Sequence, residues 1–464
     1  MEQKIRVQKI QEIINRDKDE HFLAQEISWQ DALVPMPVYK IPLSYLVYNK
    51  HNGRILSRTK SLEKQSHSID VETDEGKKLI GDLLWDSKVD SNKKTLADLK
   101  KSGQKEVGII TKDGIIIDGN RRAMLLNRLG DVDYFKAVVL PVTLEENPIE
   151  IKKLETTYQM GEDKKLDYNP IEKYLKSKDL FDELISAHNK ELSISKIADW
   201  MGEQKTAIQE YLLVMNTMDE YLIELKYDGI YTQLDGREDQ FINLTKWLNN
   251  FYEEESGKAF DGYTNLDVDD LKVLSYDYIR DKYEGKEFRV IAHGQKQNHF
   301  FGDKAIWESF RDSHFDLLKS LQESDININS QNLKSHLDER DANFSAQMHE
   351  KIRENLETHY ESLRNKQAGD KPEKLIKRSL ESFDAIHQGH ESFKDINVQN
   401  LLEELAEKSL LALQKNSPVR ILAQVKKLLE QIDLTKIDEE STDEARQYAK
   451  SIQHILNDIR DEIN

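Results

Sequence analysis

The residues best suited to chemistry form one short segment, in which a carboxylate, a glycine and two guanidinium groups follow one another: Asp118-Gly119-Asn120-Arg121-Arg122. An apolar run at 115–117 precedes the segment and predicts a strand, and apolar residues at helical spacing follow it as far as Leu129. Backbone N–H groups at a helix start, the helix dipole and a glycine together favour a bound anion. Two arginines in the first turn oppose the dipole, and a phosphate would relieve that conflict by accepting bidentate hydrogen bonds. The segment predicts a phosphate-binding turn; a surface turn with solvated arginines is the alternative.

A second pattern, from Leu192 to Met215, predicts two helices joined by a tight turn at Gly202. Apolar residues at helical spacing form a stripe for burial on each helix: Ile194, Ile197, Ala198, Met201, Ile208, Leu212 and Met215. This arrangement is typical of a helix-turn-helix. The second helix directs polar side chains outward that are candidates for DNA contacts: Gln204, Lys205, Thr206 and Gln209. DNA phosphates would repel the neighbouring Glu203 and Glu210, so a structural or protein-binding role is the alternative.

The order of these features resembles the ParB family of DNA-partitioning proteins, whose amino-terminal fold is shared with sulfiredoxin. A strand is predicted at 38–43, the phosphate turn follows, a helix begins near Asn169-Pro170, and the helix-turn-helix comes last. Within this order, the family's first box is matched by Asn49, Asn52 and Arg54, and its second box, Gly-x-Arg-Arg, by Gly119, Asn120, Arg121 and Arg122. The resemblance spans residues 36 to 216 and implies a ParB/sulfiredoxin-like α/β module followed by a helix-turn-helix domain.

The resemblance also implies a ligand, a nucleoside triphosphate (CTP or ATP) with Mg²⁺. Its phosphates would be bound by the residues of the two boxes: Arg54, Gly119, Asn120, Arg121 and Arg122. DNA is the implied partner, bound through the helix-turn-helix. In this interpretation nucleotide binding stabilises one arrangement of the modules, and hydrolysis or release restores the other.

Two features depart from the family pattern. Its third box, Glu-Asn-x-Gln-Arg, is expected just before Asp167, where this chain has the segment 161–165. Glu162 and Asp163 in that segment are candidate Mg²⁺ ligands, because hard cations prefer carboxylate oxygens, and an exposed charged loop is the alternative. The segment 55–102 is also longer than its family counterpart, and we expect this insertion to shape or cover the site.

The absence of cysteine excludes sulfiredoxin chemistry, which needs a nucleophilic thiol. Another branch of the fold phosphorylates small molecules with a carboxylate near the phosphates as base, which makes Asp118 a candidate catalytic residue. The alternative for Asp118 is a turn residue that accepts hydrogen bonds from the following backbone N–H groups.

Composition and periodicity set the wider organisation. The chain has 464 residues and a formal net charge of −19, which argues against a protein that coats DNA with its whole surface. It has no apolar run long enough to span a membrane and no signal-peptide pattern, so a cytoplasmic protein without membrane contact is expected. We expect an α+β protein with a mostly α-helical carboxy-terminal half and five segments: a helical or extended arm (1–35), the nucleotide-binding domain (36–145), the helix-turn-helix domain (146–230), a mostly helical middle domain (231–340) and a helical domain (341–464).

Three functions remain open at this point. The first is a ParB-like, nucleotide-switched clamp or regulator, which would act as an NTPase (CTPase or ATPase) if it hydrolyses its ligand. The second is an ATPase or metal-dependent nuclease subunit of a DNA-modification, phage-defence or mobile-element system. The third is a non-catalytic assembly subunit within a larger protein complex. The carboxy-terminal helices could form a homodimer interface or a bundle within one chain.

Overall fold

The computed structural model describes residues 1–17, 23–65, 68–162, 169–252, 256–283, 286–293, 298–322, 333–369, 371–387, 389–414, 418–437 and 442–463. The chain divides into two compact units, Met1–Gln367 and Ala368–Asn464. The first unit combines a β-sheet with many helices, whereas the described part of the second is helical. The expected α+β class is therefore confirmed.

The first unit is built around a mixed sheet with five strands in the described residues, β1 (Ala24–Trp29), β2 (Ala32–Pro42), β3 (Gly108–Ile110), β4 (Ile116–Asp118) and β5 (Tyr134–Val139). Their order across the sheet is β1-β2-β5-β3-β4. The β3–β5 pair is parallel and the other neighbours are antiparallel. β3 and β4 pair as a hairpin that leads into the predicted phosphate turn, and the predicted strand at 38–43 corresponds to the second half of β2.

Nine helices precede residue 230 in the described residues: α1 (Gln3–Arg16), α2 (Leu56–Lys64), α3 (Asp74–Asp86), α4 (Val89–Ser102), α5 (Asn120–Leu129), α6 (Pro148–Thr156), α7 (Pro170–Leu184), α8 (Lys190–Met201) and α9 (Lys205–Glu224). A π-helical turn, Thr157–Glu162, continues α6. The long insertion expected after Arg54 is helical and comprises α2, α3 and α4.

Both faces of the sheet are covered, because alternate residues of a strand point to opposite sides. Tyr39 and Ile41 of β2 join one core with Phe135 of β5 and with residues of α1, α3 and α5. On the other face, Val38 joins a second core with Val138 and with residues of α6. Helix α1 therefore packs on the sheet and β1 pairs within it. The segment 1–35, expected to be an arm, belongs to the compact unit.

Helix α9 connects the sheet region to a large helical core. The remaining helices of the first unit are α10 (Glu238–Phe251), α11 (Asn265–Arg280), α12 (Lys304–Leu318) and α13 (Leu333–Gln367). Leu337 and Phe344 of α13 are buried in the same core as Met218 of α9. The boundaries expected at 230/231 and 340/341 consequently fall inside one core, and the compact unit ends at Gln367.

The second unit contains α14 (Pro372–Asp384), α15 (Ile396–Gln414), α16 (Pro418–Glu430) and α17 (Thr442–Ile463) in its described residues. These helices leave large apolar side chains exposed, among them Leu401, Val419, Tyr448 and Ile463. Among the described residues of the whole chain, no helix is long and apolar enough to span a membrane.

Candidate anion-binding site

The predicted phosphate turn is the junction between β4, which ends at Asp118, and α5, which begins at Asn120. Gly119 is the residue between them and has a φ of +95°, a conformation that side chains disfavour. A Cβ atom at Gly119 would also lie 2.7 Å from Cζ of the buried Phe135 ring. Glycine is therefore required here both by the backbone conformation and by packing. The turn presents the start of a ten-residue helix to an adjacent cleft.

That cleft has a volume of about 280 Å³ and brings together all the predicted phosphate-binding residues and Asp118. Its walls include the turn, the loop after β2, helix α4 and the π-helical turn, through these residues: Asn52, Arg54, Thr95, Asp98, Leu99, Gly103, Lys105, Glu106, Asp118, Gly119, Asn120, Arg121, Arg122 and Gln159. The segment 55–102 contributes to the cleft through α4. The described lining residues include four cationic side chains and three carboxylates, so their formal charge is one positive.

The two consecutive arginines have different surroundings. Nη2 of Arg122 lies 2.5 Å from Oδ2 of Asp118, and its Nη1 lies 3.4 Å from Oε2 of Glu106. Arg121 instead donates from Nε to Oδ1 of Asn92 at 2.8 Å and from Nη2 to Oγ of Ser91 at 3.2 Å. Arg122 is thus held by carboxylates of the hairpin, whereas neutral side chains of α4 orient Arg121.

The side chain of Asn120 is engaged within the fold. Its Oδ1 accepts from the backbone N–H of Asn49 at 3.0 Å, and its Nδ2 donates to the carbonyl of Ile116 at 2.9 Å. Asn120 is only 2% exposed. Its side chain therefore fixes the turn to the loop after β2, so a contact from Asn120 to an anion would come from its backbone N–H. In the same loop, Oδ1 of Asn52 accepts from the backbone N–H of Arg54 at 3.1 Å.

A buried polar network, which sequence patterns did not predict, connects the loop after β2 to α6 and α7. Glu155 of α6 accepts from Nδ2 of Asn49 at 2.9 Å and from Nζ of Lys176 at 3.0 Å. Gln159 donates to the carbonyl of Ile117 at 2.9 Å and lines the cleft. Glu155 and Gln159 are four residues apart, the spacing that places two side chains on the same face of a helix. A pair of polar residues at this spacing within a helical pattern is the signal from which a buried polar pair could have been predicted. The network joins β4, the loop after β2 and α7.

A second buried carboxylate joins α7 to α2. Glu172 accepts from the backbone N–H of Ser57 at 3.0 Å and from its hydroxyl at 2.6 Å, at the start of α2. Burial raises the pKa of Glu172 to about 7, against the opposing effect of these hydrogen bonds.

This raised pKa predicts a pH-dependent stability. The folded chain holds the proton more tightly than the unfolded chain, so the contribution of Glu172 is complete below a pH of about 4.5 and is lost as the pH rises through about 7. In Glu172→Gln we expect the fall in unfolding free energy between pH 5 and pH 7.5 to be smaller than in wild type, by up to about 3 kcal/mol. Urea denaturation at the two pH values measures this. Glu191→Gln, an exposed position on α8, is the control, and equal pH dependence of Glu172→Gln and wild type would contradict the prediction.

The expected metal ligands are only partly described. Glu162 ends the π-helical turn, its side chain is not among the described ones, and Asp163 lies outside the described residues. Within the described part of the chain, no group of three or more histidine or acidic side chains converges as a metal site. Mg²⁺ does not require such a cage, because it is commonly held by ligand phosphates, water and one or two carboxylates.

The predicted DNA contacts lie at the start of α9. Gly202 ends α8 in the left-handed conformation, with a φ of +65°, and α9 begins three residues later. The stripe residues Ile194, Ile197 and Ile208 are buried together, as predicted. The four candidates for DNA contact are all exposed: Gln204, Lys205, Thr206 and Gln209. Both nearby glutamates have lysine partners, since Glu203 lies 3.2 Å from Lys173 and Glu210 lies 3.3 Å from Lys246.

No protein-family model matches this chain, and no curated protein is detectably similar to it in sequence. The assignment of a function therefore depends on the residues and geometry of the cleft.

Proposed function

We propose that this chain binds a nucleoside triphosphate with Mg²⁺ in the cleft at the β4–α5 turn. One observation carries the proposal: the first residues of α5, directly after Gly119, line a cleft that three arginines also line, Arg54, Arg121 and Arg122. Backbone N–H groups at a helix start lack intrahelical acceptors, and the helix dipole favours negative charge there. Guanidinium groups match phosphate oxygens in geometry as well as charge.

The charge of the cleft explains why a metal ion belongs to the proposal. The described lining residues carry one net positive charge, which does not balance a triphosphate. A bound Mg²⁺ would supply positive charge beside the phosphates. The carboxylates among the described residues that line the cleft are Asp98, Glu106 and Asp118. Asp118 is the catalytic candidate among them if the triphosphate is hydrolysed.

The wider role that fits this ligand is that of a ParB-like, DNA-associated regulator or clamp. The exposed polar residues at the start of α9 would contact DNA, with the two neighbouring glutamates restrained by lysines.

The exposed apolar faces of α14 to α17 would pair with those of a second copy, which makes the functional form a homodimer. Mass measurement of the full chain in solution by light scattering tests the dimer, and a monomer at micromolar concentration would contradict it.

Binding to DNA through α9 predicts a specific salt effect. Lys205→Ala should weaken binding to duplex DNA and reduce the slope of log affinity against log salt by about one, because one phosphate contact is lost. Lys190→Ala, an exposed lysine at the start of α8, is the matched control. The measurement is fluorescence anisotropy over a salt series. An unchanged slope in Lys205→Ala would exclude a phosphate contact at this position.

The direct test of the proposed ligand is calorimetric binding of ATP, CTP, GTP and UTP with Mg²⁺ to the full chain, with phosphate release followed in parallel. Binding of at least one triphosphate supports the proposal and names the base. Steady release of phosphate that Asp118→Asn abolishes would identify an NTPase, whereas binding without release would identify a ligand-controlled switch. Failure of all four to bind at millimolar concentration would overturn the proposal.

A further inference from the structure

Helix α4, part of the insertion, presents one polar face along the cleft. Ser91, Thr95, Asp98 and Ser102 are separated by four, three and four residues, the spacing that places side chains on one side of a helix. Thr95 and Asp98 line the cleft, and Ser91 accepts from Arg121. A single face of α4 therefore contacts an arginine of the turn and also forms a wall of the cleft.

This wall has a fixed position relative to the turn because of Asn92. The Asn92 side chain is fully buried and donates from Nδ2 to the carbonyls of Leu84 at 3.0 Å and Trp85 at 2.7 Å, at the end of α3. Its Oδ1 accepts from Nε of Arg121. The same residue thus holds the α3–α4 junction and orients Arg121, so a ligand held at the turn meets α4 at a defined distance.

The groups that α4 offers to the cleft are hydrogen-bond acceptors. The Thr95 hydroxyl donates to the carbonyl of Ser91 at 3.0 Å, which leaves its oxygen lone pairs for a donor in the cleft. Asp98 is a carboxylate, and it lies 3.0 Å from Nζ of Lys105, itself a lining residue. The start of α5 and the Arg121 guanidinium attract phosphate oxygens to the turn, whereas α4 offers no cationic side chain to the cleft among the described lining residues. The phosphates of a ligand would therefore lie at the turn, and a donor-bearing part would face α4.

In a nucleoside triphosphate, the donor-bearing group next to the phosphates is the 2′,3′-diol of ribose. A carboxylate accepts from such hydroxyls in many nucleotide sites, and a 2′-deoxy ligand lacks one of these hydrogen bonds. We infer that α4 is the ribose-binding wall of this cleft and that Asp98, by accepting from the ribose hydroxyls, selects ribonucleotides over 2′-deoxyribonucleotides. This inference rests on the proposed function, because it needs a triphosphate at the turn.

The alternative role of Asp98 is that of a surface ion pair only. Its side chain is 56% exposed and that of Lys105 is 60% exposed, and such pairs contribute little to stability. A ratio of affinities separates the two roles. Removal of a carboxylate strengthens the binding of every triphosphate through long-range charge, but this effect is the same for the ribose and the deoxyribose ligand and cancels in their ratio.

The experiment takes whichever of ATP, CTP, GTP and UTP binds best, and measures its dissociation constant and that of its 2′-deoxy form with Mg²⁺ for wild type, Asp98→Ala and Asp90→Ala. Asp90 lies on the same helix, is exposed and does not line the cleft, so its replacement controls for the charge change. We expect wild type and Asp90→Ala to bind the better ribonucleotide about tenfold more tightly than its deoxy form, and Asp98→Ala to lower that ratio to about twofold or less.

Two results would overturn the inference. Equal affinity of wild type for ribose and deoxyribose ligands would exclude a ribose wall while leaving triphosphate binding intact. An unchanged ratio in Asp98→Ala would exclude Asp98 as the selecting residue. Absence of binding by all four ribonucleoside triphosphates would remove the proposed function and this inference together, and is thereby distinguishable from both results.

Discussion

Replacement of Arg121 by alanine is expected to weaken triphosphate binding by about 100-fold, because two charge-assisted hydrogen bonds are worth about 3 kcal/mol together. Asn92 and Ser91 hold the guanidinium beside the cleft, so little ordering is needed when a ligand binds. Arg121→Lys should recover only part of the loss, since an ammonium keeps the charge without the planar fork. Calorimetry with Mg²⁺ and the best-bound triphosphate measures the effect.

Arg128→Ala is the matched control for this variant. Arg128 lies on the same helix, 2.7 Å from Asp82 and stacked over the Trp85 ring at 4.5 Å, and it does not line the cleft. It should bind the triphosphate with nearly wild-type affinity. Similar losses in the two arginine variants would indicate a nonspecific charge effect, and unchanged affinity in Arg121→Ala would remove Arg121 from the site.

Replacement of Lys176 by methionine is expected to lower the unfolding free energy by about 3–5 kcal/mol, because it leaves the buried carboxylate of Glu155 without its cationic partner. The Lys176 and Glu155 side chains are 6% and 3% exposed and lie 3.0 Å apart. With lysine removed, the Glu155 charge keeps only the amides of Asn49 and Gln159 as partners in the network. Urea denaturation at neutral pH measures the loss.

Two further variants separate this mechanism from lost packing. Adding Glu155→Gln to Lys176→Met removes the stranded charge, so the double variant should be more stable than Lys176→Met alone. Lys60→Met breaks a pair between α2 and α7 that is about one-third exposed, Lys60–Asp179, and should cost about 1 kcal/mol or less. A double variant no more stable than Lys176→Met would contradict the buried-charge explanation.

Sequence patterns predicted those parts of the site that depend on neighbours in the chain. The strand β4, Gly119 and the start of α5 follow from a strand pattern, a glycine and helical periodicity within about fifteen residues. The buried stripes of α8 and α9 were predicted for the same reason. Each of these predictions depends on the spacing of residues that are close in sequence, and most of the apolar residues concerned are buried in the structure.

The supporting network could not be predicted in this way, because its members are distant in sequence. Asn49 and Glu155 are separated by 106 residues and meet only when the sheet and α6 pack together. The prediction for Asn120 was also incomplete, because it did not include the hydrogen bond that the Asn120 side chain accepts from the backbone N–H of Asn49. The expected boundary at 340/341 falls within α13, where Leu337 and Phe344 lie on either side of it and are buried in the same core.

The measurement that tests the central claim most directly is a crystal structure of the full chain with Mg²⁺ and a non-hydrolysable analogue of the triphosphate that binds best. The account predicts phosphate oxygens within hydrogen-bonding distance of the first backbone N–H groups of α5 and of the Arg121 guanidinium. A triphosphate bound away from the β4–α5 turn, with no phosphate oxygen near α5 or the Arg121 guanidinium, would contradict it.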